Sequence, residues 1–213
     1  MKKIILMIVA GVLMANYCNA QRHGSDFSNE LQFGLKIGAN YSNVYDTQGE
    51  QFNADPKFGL AAGAFLSIPI TRFFGFQPEI LYSQKGFQAT GRILGSDYDF
   101  TRTTTFIDIP LLLQVKPSSQ VTLLIGPQYS YLLKQRDVFN NSSTTIDQQQ
   151  EFENANIRRN LLCILGGIDF NLNNNMVIGA RVGWDLSNNN GDGTSSTPRY
   201  RNVWYQATLG IKL

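Results

Sequence analysis

The chain has 213 residues, of which 43% are hydrophobic and 16% are charged, and its formal net charge is +2. Ordinary soluble domains carry about 25% charged residues, so a soluble surface of this size would normally hold more charge. Nucleic-acid-binding proteins concentrate lysine and arginine on one face. The near balance of basic and acidic residues therefore predicts no nucleic-acid partner.

The first twenty residues have the pattern of a secretory signal peptide. Two lysines precede an apolar run at residues 4–14, and the small residues Cys18 and Ala20 flank a predicted cleavage site after Ala20. A membrane anchor fits less well, because a helix needs about 20 apolar residues to cross the bilayer core. A lipoprotein modified at Cys18 also fits less well, since the two residues before it are not small and apolar. We expect residues 1–20 to be removed on export.

Without this segment, basic and acidic residues are equal in number and Cys163 is the only cysteine, so no intramolecular disulfide is expected. No later stretch approaches 18 consecutive apolar residues, and we expect no transmembrane helix. A closed β-barrel is the other structure that satisfies every backbone hydrogen bond within a bilayer. We predict residues 21–30 as a short periplasmic N-terminal segment and 31–213 as an outer-membrane β-barrel domain.

Alternation of apolar with small or polar residues recurs eight times, and this period of two is typical of β-strands. Eleven residues at about 3.3 Å per residue, tilted near 40°, reach roughly 28 Å along a barrel axis, which matches the apolar band of outer-membrane barrels. The predicted strands cover residues 31–41, 57–68, 73–83, 103–115, 121–133, 159–170, 176–186 and 202–213.

The connections between these strands alternate in length. Four are long and polar, and three are short; the long ones are 42–56, 84–102, 134–158 and 187–201, and the short ones are 69–72, 116–120 and 171–175. Bacterial barrels have this layout, with short turns and both termini in the periplasm. We therefore predict an all-β fold, an eight-stranded antiparallel up-and-down transmembrane β-barrel in the cell outer membrane, with extracellular long loops.

Alternation alone does not say which face is outside, since a soluble lipocalin-like barrel also alternates. Aromatic residues of the apolar faces fall near both strand ends, as in the two aromatic girdles of a membrane barrel. Those near the long loops are Tyr41, Phe58, Tyr82, Tyr129, Tyr131, Trp184 and Tyr205, and those near the short turns are Phe33, Phe74, Phe76 and Phe170. Small residues that suit a narrow interior include Gly34, Gly38, Gly59, Ala61, Gly63, Gly126, Gly166, Gly179, Gly183 and Gly210.

Three segments resemble one known family. Residues 77–86 read Gln-Pro-Glu-Ile-Leu-Tyr-Ser-Gln-Lys-Gly, residues 106–113 contain Ile-Pro-Leu-Leu, and Gly126-Pro127 follows. In order and spacing these segments resemble the PorT-like outer-membrane β-barrel family. The resemblance implies an outer-membrane location. One family member is associated with protein secretion across the outer membrane, so the resemblance also permits a role in transport or secretion machinery.

The alternation of inward and outward side chains along each strand places a set of polar residues in the interior. Charges there must pair or be hydrogen-bonded, because an isolated buried ion costs several kcal/mol. We expect a structural network centred on Glu79 and Arg181, with a proton or ion path as the alternative. Its predicted members are Lys36, Gln77, Glu79, Asp108, Gln114, Arg159, Asp169, Arg181, Asp185 and Lys212.

An enzymatic role is not expected. The one histidine, His23, precedes the barrel, so no serine–histidine pair can form among strands and loops. No histidine pair or cysteine cluster indicates a metal site, and we expect no cofactor. Paired acids such as Glu79 and Asp108 are more often structural than catalytic in a filled interior.

Two functions remain open at this stage. The first is a structural role, or an interaction role mediated by the long loops, because loops on a rigid scaffold commonly carry binding. The second is a component of outer-membrane transport or secretion machinery. The expected partners are outer-membrane lipid, the barrel-insertion machinery, and an envelope or secretion protein.

Overall fold

The computed structural model describes residues 30–48, 54–93, 96–141, 144–150, 157–189 and 199–213. The predicted signal peptide at 1–20 lies outside these residues, and so does the predicted periplasmic segment at 21–30 apart from Glu30. Within the described residues no helix is long and apolar enough to cross a membrane.

Nine antiparallel strands make up the described fold. Eight of them form a closed ring, and the prediction of an eight-stranded antiparallel barrel is confirmed. The strands are β1 (Gln32–Gln48), β2 (Ala54–Pro69), β3 (Phe74–Ile93), β4 (Ser96–Val115), β5 (Val121–Asn141), β6 (Thr144–Gln150), β7 (Asn160–Asn171), β8 (Met176–Asp185) and β9 (Arg199–Lys212).

The ring runs in the order β4-β3-β2-β1-β9-β8-β7-β5 and closes through the β4–β5 pairing. The first and last strands are neighbours, so that Ile37 lies opposite Ala62 on β2 and Leu209 on β9. Strand β7 pairs with β5 up to Tyr131, and β6 pairs with β5 beyond that point. The described part of β6 is therefore an extension above the ring rather than a ninth wall strand.

The apolar face of the barrel points outward. On β1, Ile37 is 57% exposed and its neighbour Lys36 is 6% exposed; on β3, Ile80 is 54% exposed and Glu79 is 4% exposed. A soluble barrel would reverse this arrangement. The seven aromatic residues predicted near the long connections are all exposed on this outer face: Tyr41, Phe58, Tyr82, Tyr129, Tyr131, Trp184 and Tyr205.

The inner face contains small, polar and apolar residues in separate regions. One side of the interior, on β4, β5 and β7, is an apolar cluster that includes Leu112, Leu124 and Leu165 and packs against Trp204 of β9. The alternation of side chains in the sequence did not distinguish this apolar side of the interior from the polar side. The assignment of Gly166 to the inner face is corrected: its neighbours Leu165 and Gly167 face inward, and only one atom lies within 4 Å of a Cβ added to Gly166.

Three of the predicted long loops are largely β-structure, so the prediction of loops there was wrong. Residues 42–48 belong to β1 and residues 54–56 to β2. The β3–β4 pairing continues to Ile93 opposite Ser96, and the β5–β6 pairing continues to Asn141 opposite Thr144. For β1 and the β3–β4 hairpin the physical reason is a second apolar core beyond the girdle, formed by Val44, Phe87, Ala89 and Tyr200. Burial of these side chains favours extended strands over solvated loops. The three short turns, at 70–73, 116–120 and 172–175, lie within one residue of the predicted positions.

Close packing inside the barrel depends on Gly183, and this gives a test of the fold. A Cβ added to Gly183 would overlap the indole ring of Trp204. We expect Gly183→Val to destabilise the barrel by about 1–3 kcal/mol, because overpacking forces side chains off their preferred rotamers. The measurement is the temperature at which the folded gel band converts to the unfolded one.

The matched control is Gly166→Val on the outer face, where the atom nearest to an added Cβ is the backbone oxygen of Leu124 at 3.9 Å. We expect this variant to melt close to the unsubstituted protein. Equal losses in both variants would contradict the assigned packing of Trp204.

Candidate functional site

The interior of the barrel contains two groups of buried side chains, each arranged around charged residues. The lower cluster, nearer the short turns, consists of Lys36, Gln77, Glu79, Asp169 and Arg181. The upper cluster, nearer the long connections, consists of Lys85, Asp108, Cys163, Asp185 and Trp204. All ten side chains are buried.

Glu79 is the centre of the lower cluster. Its Oε1 lies 2.8 Å from Lys36 Nζ, and its Oε2 lies 2.8 Å from Arg181 Nη1. A second Arg181 nitrogen, Nη2, donates to Glu79 Oε1 at 3.0 Å and lies 3.4 Å from Asp169 Oδ2. Two cations thus face two carboxylates, and this balance offsets much of the cost of removing four charges from water.

The Glu79–Arg181 ion pair crosses the whole interior. Glu79 is on β3 and Arg181 is on β8, and in the ring of eight these strands are four positions apart. They therefore lie on opposite walls. The forked guanidinium–carboxylate contact is the geometry that gives arginine its strongest and most directional ion pairs.

Amide side chains extend the lower cluster toward the short turns. Gln77 Nε2 donates to Glu79 Oε1 at 2.6 Å, and Gln114 donates to the Gln77 side-chain oxygen. Ser67 Oγ in turn donates to Gln114 Oε1 at 3.0 Å. This chain of hydrogen bonds connects β2, β3 and β4 and provides the polar partners that buried amides need.

A layer without charges lies beside the lower cluster. Asn40 Nδ2 donates to Ser83 Oγ at 2.9 Å, and Gln206 Nε2 donates to Asn40 Oδ1 at 2.9 Å. These three residues belong to β1, β3 and β9 and are buried. The Asn40–Ser83 bond links β1 to β3, which the backbone ladder does not pair directly, whereas Asn40 and Gln206 lie opposite each other in the β1–β9 ladder.

Lys85 provides the cation of the upper cluster. Its ammonium lies 3.1 Å from Asp108 Oδ2 and 3.6 Å from the centre of a Trp204 ring. A cation over an indole face, where water is excluded, gains electrostatic stabilisation from the ring. The aromatic wall and the carboxylate together compensate the burial of Lys85.

The other carboxylate of the upper cluster is Asp185. Its Oδ1 accepts a hydrogen bond from Cys163 Sγ at 3.1 Å, and its Oδ2 accepts from the side chain and the backbone N–H of Asn202. The thiol of Cys163 is free, buried and 3.4 Å from Ser130 Oγ.

A third group, the rim cluster, lies beyond the aromatic girdle and consists of Arg102, Asp137 and Tyr200. Arg102 donates from Nε and Nη2 to the two oxygens of Asp137 at 2.8 Å and 2.7 Å, and from Nη1 to the Tyr200 hydroxyl at 3.2 Å. Tyr200 on β9 is opposite β4 in the ring. The rim cluster therefore also bridges facing walls.

The structure brings together most of the predicted network residues, in two groups rather than one. The lower cluster contains five of them, and Gln114 is connected to it through Gln77. Asp108 and Asp185 belong to the upper cluster. Lys212 is half-buried at the short-turn end and donates to Asn171 Oδ1 at 2.7 Å. The assignment of Arg159 to the interior is corrected. Arg159 precedes β7, which begins at Asn160, so the alternation of inward and outward side chains does not extend to it, and its side chain is exposed.

The sequence analysis missed Lys85, Cys163 and Trp204 as partners in this interior. Lys85 fell in a predicted loop, although the inward alternation of Glu79, Leu81 and Ser83 continues through it. Following that alternation past Ser83 would have found the residue. In the described part of the chain, no group of three histidine, cysteine, aspartate or glutamate side chains could hold a metal ion.

Residues 19–195 match the family model described as outer membrane protein beta-barrel domain. The chain belongs to this family. Its outer-facing apolar band agrees with that membership, and the finer assignment to the PorT-like family stays a prediction. The search of curated proteins gave no match.

Solved outer-membrane barrels have a similar arrangement of strands. Ail, the attachment invasion locus protein of Yersinia pestis, is 16% identical, with 86% of this chain and 99% of Ail covered and a TM-score of 0.46. Neisserial surface protein A is 12% identical, with 90% and 100% covered and a TM-score of 0.49. The N-terminal barrel domain of Pseudomonas aeruginosa OprF is 10% identical, with 86% and 100% covered and a TM-score of 0.43.

The lower cluster gives a prediction for stability. Glu79→Gln would leave the buried cations Lys36 and Arg181 opposite a single carboxylate. We expect the free energy of unfolding to fall by roughly 3–5 kcal/mol, the usual loss when one partner of a buried ion pair is removed. The measurement is denaturant unfolding of the refolded barrel, followed by gel mobility.

The control is Asp55→Asn, which removes the same charge from an exposed position on β2. A surface change of this kind usually alters stability by about 0.5 kcal/mol or less. If Glu79→Gln and Asp55→Asn unfold at the same denaturant concentration, the central role of Glu79 is refuted.

Proposed function

We propose that this protein is an outer-membrane barrel whose interior is closed to free diffusion, and that it has a structural or interaction role at the cell surface. The observation that carries the proposal is the ion pair between Glu79 and Arg181, which joins opposite walls at the level of the lower cluster. Barrels of eight strands are narrow enough for side chains to fill them.

The closed interior is supported at more than one level. Above the lower cluster, Lys85 extends from β3 to the indole of Trp204 on β9. At the rim, Arg102 on β4 contacts Tyr200 on β9. A solute passing through would have to break the buried ion pairs of the lower and upper clusters, where an unpaired ion costs several kcal/mol.

We place the interaction role on the two hairpins beyond the girdle, β3–β4 and β5–β6. Phe87 supports the first hairpin through ring contacts with Phe100 at 5.9 Å and Tyr200 at 5.4 Å. Arg102 lies 5.3 Å from the Phe100 ring and holds Asp137 of β5. A packed support of this kind keeps a binding surface in one conformation and so lowers the entropy lost on binding.

We also propose that the termini and short turns are periplasmic, and that the protein has no catalytic role. The alternative, a component of transport or secretion machinery, stays a prediction from the resemblance to PorT-like proteins. The paired charges between facing walls argue against an open pore. In that alternative, a partner would contact the outer wall or the hairpins.

Conductance tests the closed interior. We expect the purified protein in planar bilayers to show no stable open-channel events, because the ion pairs occupy the path. Insertion is checked separately, by recovering the heat-modifiable folded gel band from the vesicles that are fused with the bilayer. A stable channel in the unsubstituted protein would overturn the proposal.

Labelling of intact cells tests the orientation. A cysteine introduced at exposed Gln88, on the β3–β4 hairpin, should react with a membrane-impermeant maleimide. A cysteine introduced at exposed Ser118, in the β4–β5 turn, should react only after the outer membrane is opened. The unsubstituted protein is the control, since its Cys163 is buried. The reverse pattern would place the hairpins in the periplasm.

A further inference from the structure

The short-turn end of the barrel contains a cavity of about 340 Å³. Its walls come from all three short turns and from the first and last strands. This volume is in the lower part of the range for small-molecule sites. Amide and hydroxyl side chains, including Gln77, Gln114, Ser118 and Asn173, line the cavity together with apolar ones, so it offers hydrogen-bonding groups as well as apolar contacts.

Three cationic side chains from separate elements line this cavity. Arg72 is in the β2–β3 turn, Lys116 is in the β4–β5 turn, and Lys212 is on β9. In the described lining, Asp169 is the one acidic residue. Its Oδ2 already faces Arg181 in the lower cluster, so Asp169 offsets at most one of the three cationic side chains of the cavity.

Lys212 is held in place by neutral partners. Its ammonium donates to Asn171 Oδ1 at 2.7 Å, and Asn171 Nδ2 donates to the Ser119 backbone oxygen at 3.0 Å. The Asn171 backbone N–H donates to the Gln120 oxygen at 2.8 Å. None of the ion pairs between described residues includes Lys212 or Arg72.

A half-buried ammonium that is positioned but not paired with a carboxylate favours an anion. Charge-assisted hydrogen bonds from lysine and arginine to oxyanions are short and about twice as strong as neutral ones. Partial burial of Lys212 reduces screening by solvent at that side chain and so strengthens its attraction for an anion, whereas Arg72 is exposed.

We propose that this cavity is a binding site for an oxyanion group, a phosphate or a carboxylate, held between Lys212 and Arg72. The anion would balance the excess positive charge of the lining, and the surrounding amides would contact the rest of the ligand. The site is a blind recess below the lower cluster. It does not depend on whether the barrel conducts or on which partner the hairpins bind.

Calorimetric titration of the full-length protein in an uncharged detergent, with glycerol 1-phosphate as the probe, tests the proposal. We expect saturable binding with one site per barrel. The double variant Arg72→Gln, Lys212→Gln should weaken binding by at least about tenfold, the usual effect of losing a hydrogen bond from a charged group. Heat-modifiability of the gel band checks that the variant is folded.

The matched control is Lys57→Gln, Lys134→Gln, which removes the same two charges at the opposite end of the barrel. Lys57 donates to the Phe58 backbone oxygen there, and neither lysine lines the cavity. This variant should bind the probe as the unsubstituted protein does. No saturable binding, or an equal loss in both double variants, would overturn the site.

Nanodiscs distinguish the two sources of such an oxyanion. In phosphatidylcholine nanodiscs the probe should bind as in detergent if the natural ligand is a soluble anion. If phosphatidylglycerol in the nanodisc competes with the probe, and does so only when Arg72 and Lys212 are intact, a lipid headgroup is the source. Both results retain the oxyanion site, whereas competition that persists in the double variant would contradict it.

Discussion

Closure of the backbone ladder is the constraint on which the rest of this structure depends. In hydrocarbon an unpaired N–H or C=O costs several kcal/mol, so the pairing of β1 with β9 and of β4 with β5 removes the edges that a bilayer would not tolerate. Once the ring is closed, the alternation of side chains along each strand allows only one orientation of its apolar face. Apolar side chains such as Ile37 and Ile80 meet lipid, and their neighbours Lys36 and Glu79 are enclosed.

Enclosure then determines the chemistry of the interior. Charges that cannot reach water are placed beside opposite charges, and in the most compact group Lys36 and Arg181 face Glu79 and Asp169. Glycine is required where a large side chain crosses the narrow interior, as at Gly183 beside Trp204. The same side chains that connect opposite walls would obstruct a channel, so in the proposed function stability and closure have one physical origin.

The two ends of the barrel differ because their connections differ. Beyond the girdle, β3 and β4 continue as a hairpin over the apolar core of Phe87 and Tyr200, and the rim cluster joins Arg102 of β4 to Asp137 of β5. At the other end, three tight turns leave a recess in which Lys212 is oriented by Asn171. The proposed interaction surface and the proposed oxyanion site thus occur where the strand ladder ends and side chains are not committed to lipid or to paired charges.

The sequence by itself determined the number of wall strands, the outward direction of their apolar faces and the burial of residues such as Glu79 and Arg181. These features follow from a local period of two, which is visible within about ten residues. Only the tertiary structure decided that Glu79 pairs with Arg181 across 102 positions, that Lys85 lies over Trp204, and that Arg159 stays outside. Such pairings depend on which strands face each other around the ring, a consequence of closure that no single strand encodes.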